Sequence, residues 1–311
     1  MKNLGWTPGQ LESQHGKTYV ITGANSGIGF ETSRILLDKG ATIIMLNRNQ
    51  ERSRKALSAL QAEFGNNAKV SFIHVDLASQ KSILDGAKEV LETVSTIDAL
   101  ICNAAVFNLP SQKLTEDGFE YHLGVNHYGH FLLSGVLFDR LDQSNGRIVV
   151  VGSEGYKWHD KRIQFDDMNW NKNYHPNKVY CHSKLAQMMF AYELQDRIKM
   201  SSKNVSVYVC HPGASTTSLA KDTRRVERFV FELMSFTPFV QSATKGAYPE
   251  VMCAAEKHES LNQKAYYGPT GRLQWTGPVG ECDLELHVKD KPVAEKLWAL
   301  SESATKLNWE L

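Results

Sequence analysis

The sequence predicts an α/β fold, in which a doubly wound parallel sheet of about seven strands carries helices on both faces. Short runs rich in valine and isoleucine alternate along the chain with segments of helical period. Repeated β-then-α units of this kind form parallel sheets. The runs are continuously apolar rather than alternating, which is typical of strands that are covered on both faces.

The segments follow one another without a linker or a low-complexity tract, so we expect one domain over residues 1–311. The predicted strands are 18–22, 41–46, 70–75, 97–102, 147–152 and 205–210. The predicted helices are 28–39, 50–64, 80–94, most of 115–141, and 178–199. Gly40 is the expected stop of the first helix. We expect a cofactor half at about 16–150 and a catalytic and substrate half at about 151–311, with an extended C-terminal segment from about 218.

Composition excludes several classes of protein. The net charge of +1 offers no electrostatic footprint for nucleic acid. The five cysteines are scattered and form no CxxC pair, and the histidines lack acidic or thiol partners at ligand spacing, so we expect a reduced interior and no metal. No secretory signal begins the chain, and no run approaches the ~18 apolar residues of a spanning helix. We therefore expect a cytoplasmic protein.

A glycine-rich turn joins the first predicted strand to the first predicted helix. It reads TGxxxGxG from Thr22 to Gly29, and its missing side chains let the backbone approach phosphate oxygens at a helix N-terminus. A plain strand–helix turn is the alternative. The context nonetheless favours a Rossmann-type dinucleotide site. The candidate cofactor-binding residues in this turn are Gly23, Asn25, Ser26, Gly27, Ile28 and Gly29.

The residues after the second strand indicate which dinucleotide is bound. An acidic side chain there would accept hydrogen bonds from the ribose hydroxyls, but this chain has Asn47 and Arg48 instead. The planar fork of Arg48 can pair with a 2′-phosphate, although an exposed arginine that caps a loop would have the same sequence. We expect NADP(H) rather than NAD(H).

Tyr180 and Lys184 are spaced to lie on one face of a helix, one turn apart. A free tyrosine titrates near pH ~10, and an adjacent ammonium stabilises the phenolate. We therefore expect Lys184 to lower the pKa of Tyr180 and so make it a useful acid at neutral pH. A surface pair with no such task is the competing interpretation.

Two further polar residues are candidates for the same chemistry. Ser153 follows the fifth strand, where ligands of such sheets bind, and its hydroxyl could donate to a substrate carbonyl. Asn126 lies within the long helical segment, where asparagine is a mediocre helix former. It could carry a water between Lys184 and solvent, or it could be a satisfied core amide.

These residues occur in the order found in the short-chain dehydrogenase/reductase family, which the chain resembles from about residue 16 to residue 217. The resemblance implies hydride transfer with Asn126, Ser153, Tyr180 and Lys184 as catalytic residues. It also implies that Asp76 contacts the adenine, that Leu77 lines the adenine pocket and that Asn103 and Ala104 form the cofactor floor. The loop holding Pro212, Gly213 and Thr217 would then receive the nicotinamide carboxamide. Ala105 departs from the family pattern, which has glycine there.

Two runs, 125–133 and 179–186, are similar to the retinol dehydrogenase and WW-domain oxidoreductase branch. We expect an NADP(H)-dependent oxidoreductase acting on an apolar aldehyde or ketone, or on the matching alcohol. A non-catalytic NADP(H)-sensing protein and a sugar-nucleotide epimerase are the alternatives. The basic and apolar segment 224–239 could be a lid, a homodimer face or a peripheral membrane contact.

Overall fold

One eight-stranded sheet forms the centre of the computed structural model, which describes residues 5–215 and 240–311. The strands are β1 (Thr18–Thr22), β2 (Thr42–Asn47), β3 (Val70–His74), β4 (Ala99–Cys102), β5 (Arg147–Val151), β6 (Ser206–Cys210), β7 (Tyr266–Pro269) and β8 (Val279–Cys282). Their order across the sheet is β3-β2-β1-β4-β5-β6-β7-β8. β1 to β7 run parallel, and β8 pairs antiparallel with β7. The predicted doubly wound α/β sheet is confirmed.

Helices cover both faces of this sheet. They are α1 (Gly27–Asp38), α2 (Gln50–Phe64), α3 (Gln80–Thr93), α4 (Tyr121–Leu123), α5 (Gly129–Val136), α6 (Phe138–Gln143), α7 (Pro176–Lys199), α8 (Ala243–Ala255) and α9 (Lys291–Thr305). One buried apolar cluster joins the sheet to α3, α5, α7 and α9. The other joins it to α1, α2 and α8. The continuous apolar runs of the strands therefore have a core on each side.

Local sequence signals account for several of the helix ends. Asn49 begins α2 by accepting a hydrogen bond from the backbone N–H of Arg52 at 2.8 Å, and Ser79 begins α3 in the same way. Gly40 follows α1 with a φ of +89°, in the left-handed region that favours glycine. The predicted stop of the first helix at Gly40 is thus confirmed.

Two strands, β7 and β8, were not predicted, and the helix predicted from about residue 115 begins later. β7 and β8 have four residues each and contain glycine or proline, so they lack a long Val/Ile run. Residues 115–120 are not helical, because Thr115 and Phe119 pair through their backbones at 2.8 Å and the helix begins at Tyr121. Thr217 and the segment 224–239 lie outside the described residues.

The strand order fixes where a ligand can bind. The direction in which successive strands are added reverses at β1. β2 and β3 lie on one side of it, and β4 to β8 lie on the other. In open parallel sheets a crevice forms beyond the carboxyl ends of the strands at this point. The glycine turn after β1 and the loop after β4 both lie there.

Candidate functional site

A cleft of about 240 Å³ opens beyond the carboxyl ends of β1, β2, β3 and β4. Most of the cofactor-binding residues predicted from the sequence line this cleft. They are Gly23, Asn25, Ser26, Gly27, Ile28, Asn47, Arg48, Asp76, Leu77, Asn103 and Ala104. Four segments that are distant in sequence are thus brought to one place.

The glycine turn is narrow because the β4 loop packs directly against it. Gly23 has a φ of +68°, and a Cβ there would lie 2.9 Å from the Cα of Ala104. A Cβ on Gly29 would collide with the side-chain amide of Asn103. That amide in turn donates to the carbonyl oxygen of Thr22 at 2.7 Å. The turn therefore has no room for side chains at these glycines, and Gly27 and Ile28 of the first turn of α1 line the cleft. Backbone N–H groups at a helix N-terminus bind phosphate.

Asn47 carries the clearest sign that a polar ligand belongs in the cleft. Its side chain is only 2% exposed, and within the described ranges neither its amide nitrogen nor its amide oxygen has a hydrogen-bond partner. A buried polar group without a partner costs free energy, so such groups normally bind something. Asn47 lies at the end of β2 and lines the cleft.

Positive charge lies beside Asn47. Arg48 and Arg52 both line the cleft, and Arg48 donates to the hydroxyl of Tyr121 at 2.5 Å. The Tyr121 ring lies beneath the ammonium of Lys113, 4.4 Å from the ring centroid. On the far side, Asp76 accepts a hydrogen bond from the backbone of Ala78 at 3.0 Å, which fixes its carboxylate. The donors present fit a phosphate-bearing dinucleotide.

Tyr180 and Ser153 meet beside this cleft. Gly155 lies between them, since a Cβ there would be 3.3 Å from the Ser153 hydroxyl and 3.5 Å from the Tyr180 ring, and Ser153 accepts a hydrogen bond from the backbone N–H of Gly155 at 3.1 Å. The Tyr180 ring makes an edge contact with Phe107 at 4.7 Å, and Phe107 lines the cleft. The phenol of Tyr180 therefore lies next to the end of the cleft that the β4 loop forms.

Lys184 lies behind Tyr180 on α7 and is almost fully buried, with 2% exposure. Its ammonium donates to the carbonyl oxygen of Val151 at 2.8 Å and to the side-chain oxygen of Gln187 at 2.9 Å. Burial lowers the pKa of Lys184 from its usual 10.5 to about 8. The ammonium is thus held at the carboxyl end of β5, just before Ser153.

The expectation that Lys184 lowers the pKa of Tyr180 was wrong for this structure. Burial is the largest influence on the phenol and raises its pKa, while the neighbouring Ser153 hydroxyl opposes that shift. The physical reason is the direction of the ammonium, which hydrogen-bonds Val151 and Gln187. The phenol therefore holds its proton at neutral pH.

Asn126 lies in a π-helical turn, Gly124–Tyr128, between α4 and α5. Its side chain accepts from the backbone N–H of Val106 at 2.8 Å and donates to the Val106 carbonyl at 3.1 Å. It also donates to the hydroxyl of Ser183 at 2.9 Å. Of the two interpretations that the sequence left open, the geometry favours the satisfied core amide, which joins the β4 loop to α7.

The loop after β6 is only partly described. Gly213 has a φ of +63°, and Pro212 accepts hydrogen bonds from the side chains of Ser215 and Gln241, both at 2.7 Å. Pro212 and Gly213 lie at the carboxyl end of β6, beside that of β5. Thr217, the predicted carboxamide donor, is outside the described residues.

Several residues of the site were missed from the sequence. Tyr121 and Phe107 carry no motif, since their positions depend on how the β4 loop and α4 fold over the cleft. Gln187 had a detectable signal, because it follows Lys184 by three residues and so lies on the same helix face. Among the residues described, no group of three or more histidine, cysteine or acidic side chains could hold a metal ion.

Comparisons with known proteins agree with this geometry. A family model described as short chain dehydrogenase matches residues 17–162. Human retinol dehydrogenase 14 is 38% identical over 96% of this chain and 88% of its own length. Human retinol dehydrogenase 12 is 37% identical over 95% of this chain and 88% of its own length. The crystal structure of an uncharacterized protein from Mycobacterium paratuberculosis superposes with a TM-score of 0.80, at 33% identity, over 99% of this chain and 100% of that one.

The chain therefore belongs to the short-chain dehydrogenase/reductase family, a class of oxidoreductases. Within the family it falls in the retinol dehydrogenase-like branch, because its similar relatives include retinol dehydrogenases 11, 12, 13 and 14. The resemblance noted from the sequence is confirmed. Over the described ranges no helix is long and apolar enough to cross a membrane.

Proposed function

We propose that this protein transfers hydride between NADP(H) and a carbonyl or alcohol substrate, with an apolar aldehyde or ketone reduced in the favoured direction. The observation that carries the proposal is the neighbouring pair of Ser153 and Tyr180, which lies against Phe107 at the edge of the nucleotide cleft. A phenol that holds its proton is an acid, and reduction of a carbonyl needs an acid at the oxygen atom.

The residues of the cleft divide the work of holding the cofactor. The backbone of the glycine turn and the N-terminus of α1 would bind the pyrophosphate. The unpartnered amide of Asn47 and the guanidinium of Arg48 would bind the adenosine ribose and its 2′-phosphate. When bound, the nicotinamide supplies or accepts the hydride. Asn103 and Ala104 form the floor against which the dinucleotide would lie.

Tyr180, Ser153 and Lys184 would act together at the substrate oxygen. Tyr180 donates its hydroxyl proton to the carbonyl oxygen as that oxygen gains electrons. Ser153 stabilises the resulting charge through its hydrogen bonds, and Lys184 supplies a fixed positive charge behind the phenol. General acid catalysis of this kind contributes about 10²- to 10⁴-fold in rate. Asn126 supports the group through Ser183, the residue before Lys184.

The substrate proposal rests on apolar surface near the phenol and on the relatives. Phe107 lies between the cleft and Tyr180, with its edge contact at 4.7 Å. The similar relatives are named for retinol, which is an apolar alcohol. Retinal therefore belongs in the test panel beside simple aldehydes, ketones and quinones.

All five cysteines are free thiols, which is consistent with a reducing cytoplasm.

The test compares Tyr180→Phe with Tyr192→Phe. Both tyrosines are buried on α7, but the hydroxyl of Tyr192 donates to the carbonyl oxygen of Ala265, away from the cleft. We expect Tyr180→Phe to lose at least about 100-fold in kcat and to bind NADPH as the wild type does. We expect Tyr192→Phe to keep its turnover. Full turnover in Tyr180→Phe would overturn the mechanism.

Cofactor titration separates the remaining alternatives. NADPH should bind more tightly than NADH, and this is read from nicotinamide fluorescence. Binding of NADPH with no turnover across the whole panel would identify a cofactor-sensing protein. Failure of both dinucleotides to bind would remove the proposed function altogether.

A further inference from the structure

A chain of buried polar side chains leads away from Lys184 toward the cofactor cleft. The ammonium donates to the side-chain oxygen of Gln187 at 2.9 Å. The amide nitrogen of Gln187 lies 3.3 Å from Nδ1 of His130 on α5, and Nε2 of His130 lies 3.0 Å from the hydroxyl of Thr22. Gln187, His130 and Thr22 are all 0% exposed. Water does not compete for these contacts, so each of them constrains its neighbours strongly.

The far end of this chain is the floor of the cleft. The backbone N–H of Ala104 donates to the Thr22 hydroxyl at 3.0 Å. The carbonyl oxygen of Thr22 accepts from the side chain of Asn103 at 2.7 Å. Asn103 and Ala104 line the cleft, so one continuous hydrogen-bonded path joins the floor to the ammonium.

We propose that Gln187 and His130 are positioning residues that hold the Lys184 ammonium at the carboxyl end of β5 and tie it to the cleft floor. This inference rests on the proposed function, because it concerns the catalytic group of that reaction. An ammonium has three N–H donors, and Val151 and Gln187 take two of them. One donor remains for the active site, and its direction follows from the other two.

This series of hydrogen bonds requires one neutral tautomer of His130. Gln187 uses its oxygen on Lys184, so it presents its NH₂ group to Nδ1 of His130, which must then accept. The imidazole proton lies on Nε2 and donates to Thr22, whose hydroxyl donates to the carbonyl oxygen of Ile101 at 3.3 Å. The competing partner of Nδ1 is the Asn126 carbonyl oxygen, at 3.0 Å, which would require the opposite tautomer.

Other charged and titratable groups face Lys184 and stay unchanged in the test. Glu250 on α8 raises its pKa through space when ionised, and the buried thiols of Cys102 on β4 and Cys210 on β6 also face it. Tyr180 lies one turn before it on its own helix. Because Glu250 titrates in the same pH range as Lys184, the effect of substituting Gln187 is taken as the difference from wild type, in which Glu250 is the same.

The first experiment titrates Lys184 in wild type, Gln187→Met and Gln187→Glu. Methionine has a similar shape and accepts only weakly, so the pKa of Lys184 should fall by about one unit because its charged form loses a hydrogen bond. Glutamate adds an opposite charge and should move the pKa upward. The pKa is read in two ways, from the basic limb of the kcat/KM profile and from the ¹³C shift of the lysine Cε. Identical Lys184 pKa values in all three proteins would overturn the proposal.

The two readouts separate this inference from the proposed function. If no substrate is turned over, the kcat/KM profile disappears, but the Cε titration still reports whether Gln187 acts on Lys184. If turnover is found and the pKa does not depend on Gln187, the function stands and the positioning role fails.

The second experiment compares His130→Leu with His127→Leu. His127 is also 0% exposed and lies one turn earlier, but it hydrogen-bonds Ser301 at 2.7 Å and is not in the chain. Both variants lose a buried imidazole, so similar losses of thermal stability are expected. We expect only His130→Leu to move the Lys184 titration. Equal effects of the two variants would contradict a specific role.

A measurement on the wild type covers the case in which His130→Leu fails to fold. Nitrogen-15 NMR of the labelled histidines distinguishes the two neutral tautomers. A proton on Nε2 of His130 is the expected result. A proton on Nδ1 would mean that His130 serves the Asn126 carbonyl and not Gln187, which would overturn its part in the chain.

Discussion

Tyr121 illustrates how a residue that carries no recognisable motif can orient a charged side chain of the cleft. It comes from α4, far in sequence from Arg48, yet its hydroxyl accepts a hydrogen bond from that guanidinium at 2.5 Å. The ammonium of Lys113 over the ring keeps the tyrosine in place. Arg48 is therefore pre-oriented at the end of β2, where we propose that a 2′-phosphate binds.

Tyr121→Phe should weaken NADPH binding by about 3- to 10-fold, because Arg48 loses a hydrogen bond that fixes its direction. NADH lacks the 2′-phosphate and should bind as before. Both affinities are measured by fluorescence titration. Tyr128→Phe removes the hydroxyl of a buried tyrosine that does not line the cleft, and it should change neither affinity. A parallel loss for both dinucleotides in Tyr121→Phe would show that Tyr121 supports the fold instead.

Residues of the site could be predicted where their partners are close in sequence. The glycine turn and the spacing of Tyr180 and Lys184 each lie within one element, so periodicity indicates their geometry. The path through His130 joins α7 to α5, and no spacing rule brings those two helices together. The wrong pKa direction for Tyr180 has the same origin, because the sequence does not specify which acceptors a buried ammonium chooses.

At the scale of whole elements, β1 to β6 were predictable and the last two strands, β7 and β8, were not. β1, β2, β4, β5 and β6 are mostly apolar and buried on both faces, and β3, at the opposite edge, keeps three apolar residues of five. β7 and β8 have four residues each, and their places are set by pairing, β7 with β6 and β8 with β7. The π-helical turn at Asn126 was also unpredicted, since an extra residue in a helix leaves no periodic signal over five residues.

Helix α9 docks on α7 through Trp298, which is 2% exposed. The ring stacks on Phe190 at 5.9 Å and lies beneath the guanidinium of Arg197 at 4.4 Å. Trp298→Ala should therefore lower the free energy of unfolding by about 3–5 kcal/mol, as measured by urea denaturation. Glu295→Ala, an exposed change on the same helix, should stay within about 0.5 kcal/mol. A loss below about 1 kcal/mol for Trp298→Ala would mean that α9 adds little to the core.

For the whole molecule, the packing of α8 against α1 encloses an acid that the reaction does not use. Glu250 is 0% exposed and accepts a hydrogen bond from Thr32 at 2.8 Å, while its other oxygen has no partner over the described ranges. Burial raises the pKa of Glu250 from its usual 4.5 to about 8. The folded protein therefore keeps this proton at pH values where the unfolded chain has lost it.

The sign of the resulting pH dependence follows from linkage. The stability that protonated Glu250 contributes is fully present below about pH 4.5 and is lost as pH rises through about 8. Glu250→Gln keeps an acceptor for Thr32 and removes the titration. The difference in the free energy of unfolding, variant minus wild type, should therefore increase by roughly 2–4 kcal/mol as the pH rises from 5 to 9. Both free energies are measured by urea denaturation across the pH range. Their difference removes the contribution of the buried histidines, which is the same in the two proteins. Glu63→Gln, at an exposed carboxylate, should follow wild type throughout. A constant difference between Glu250→Gln and wild type would mean that Glu250 is already ionised in the folded protein.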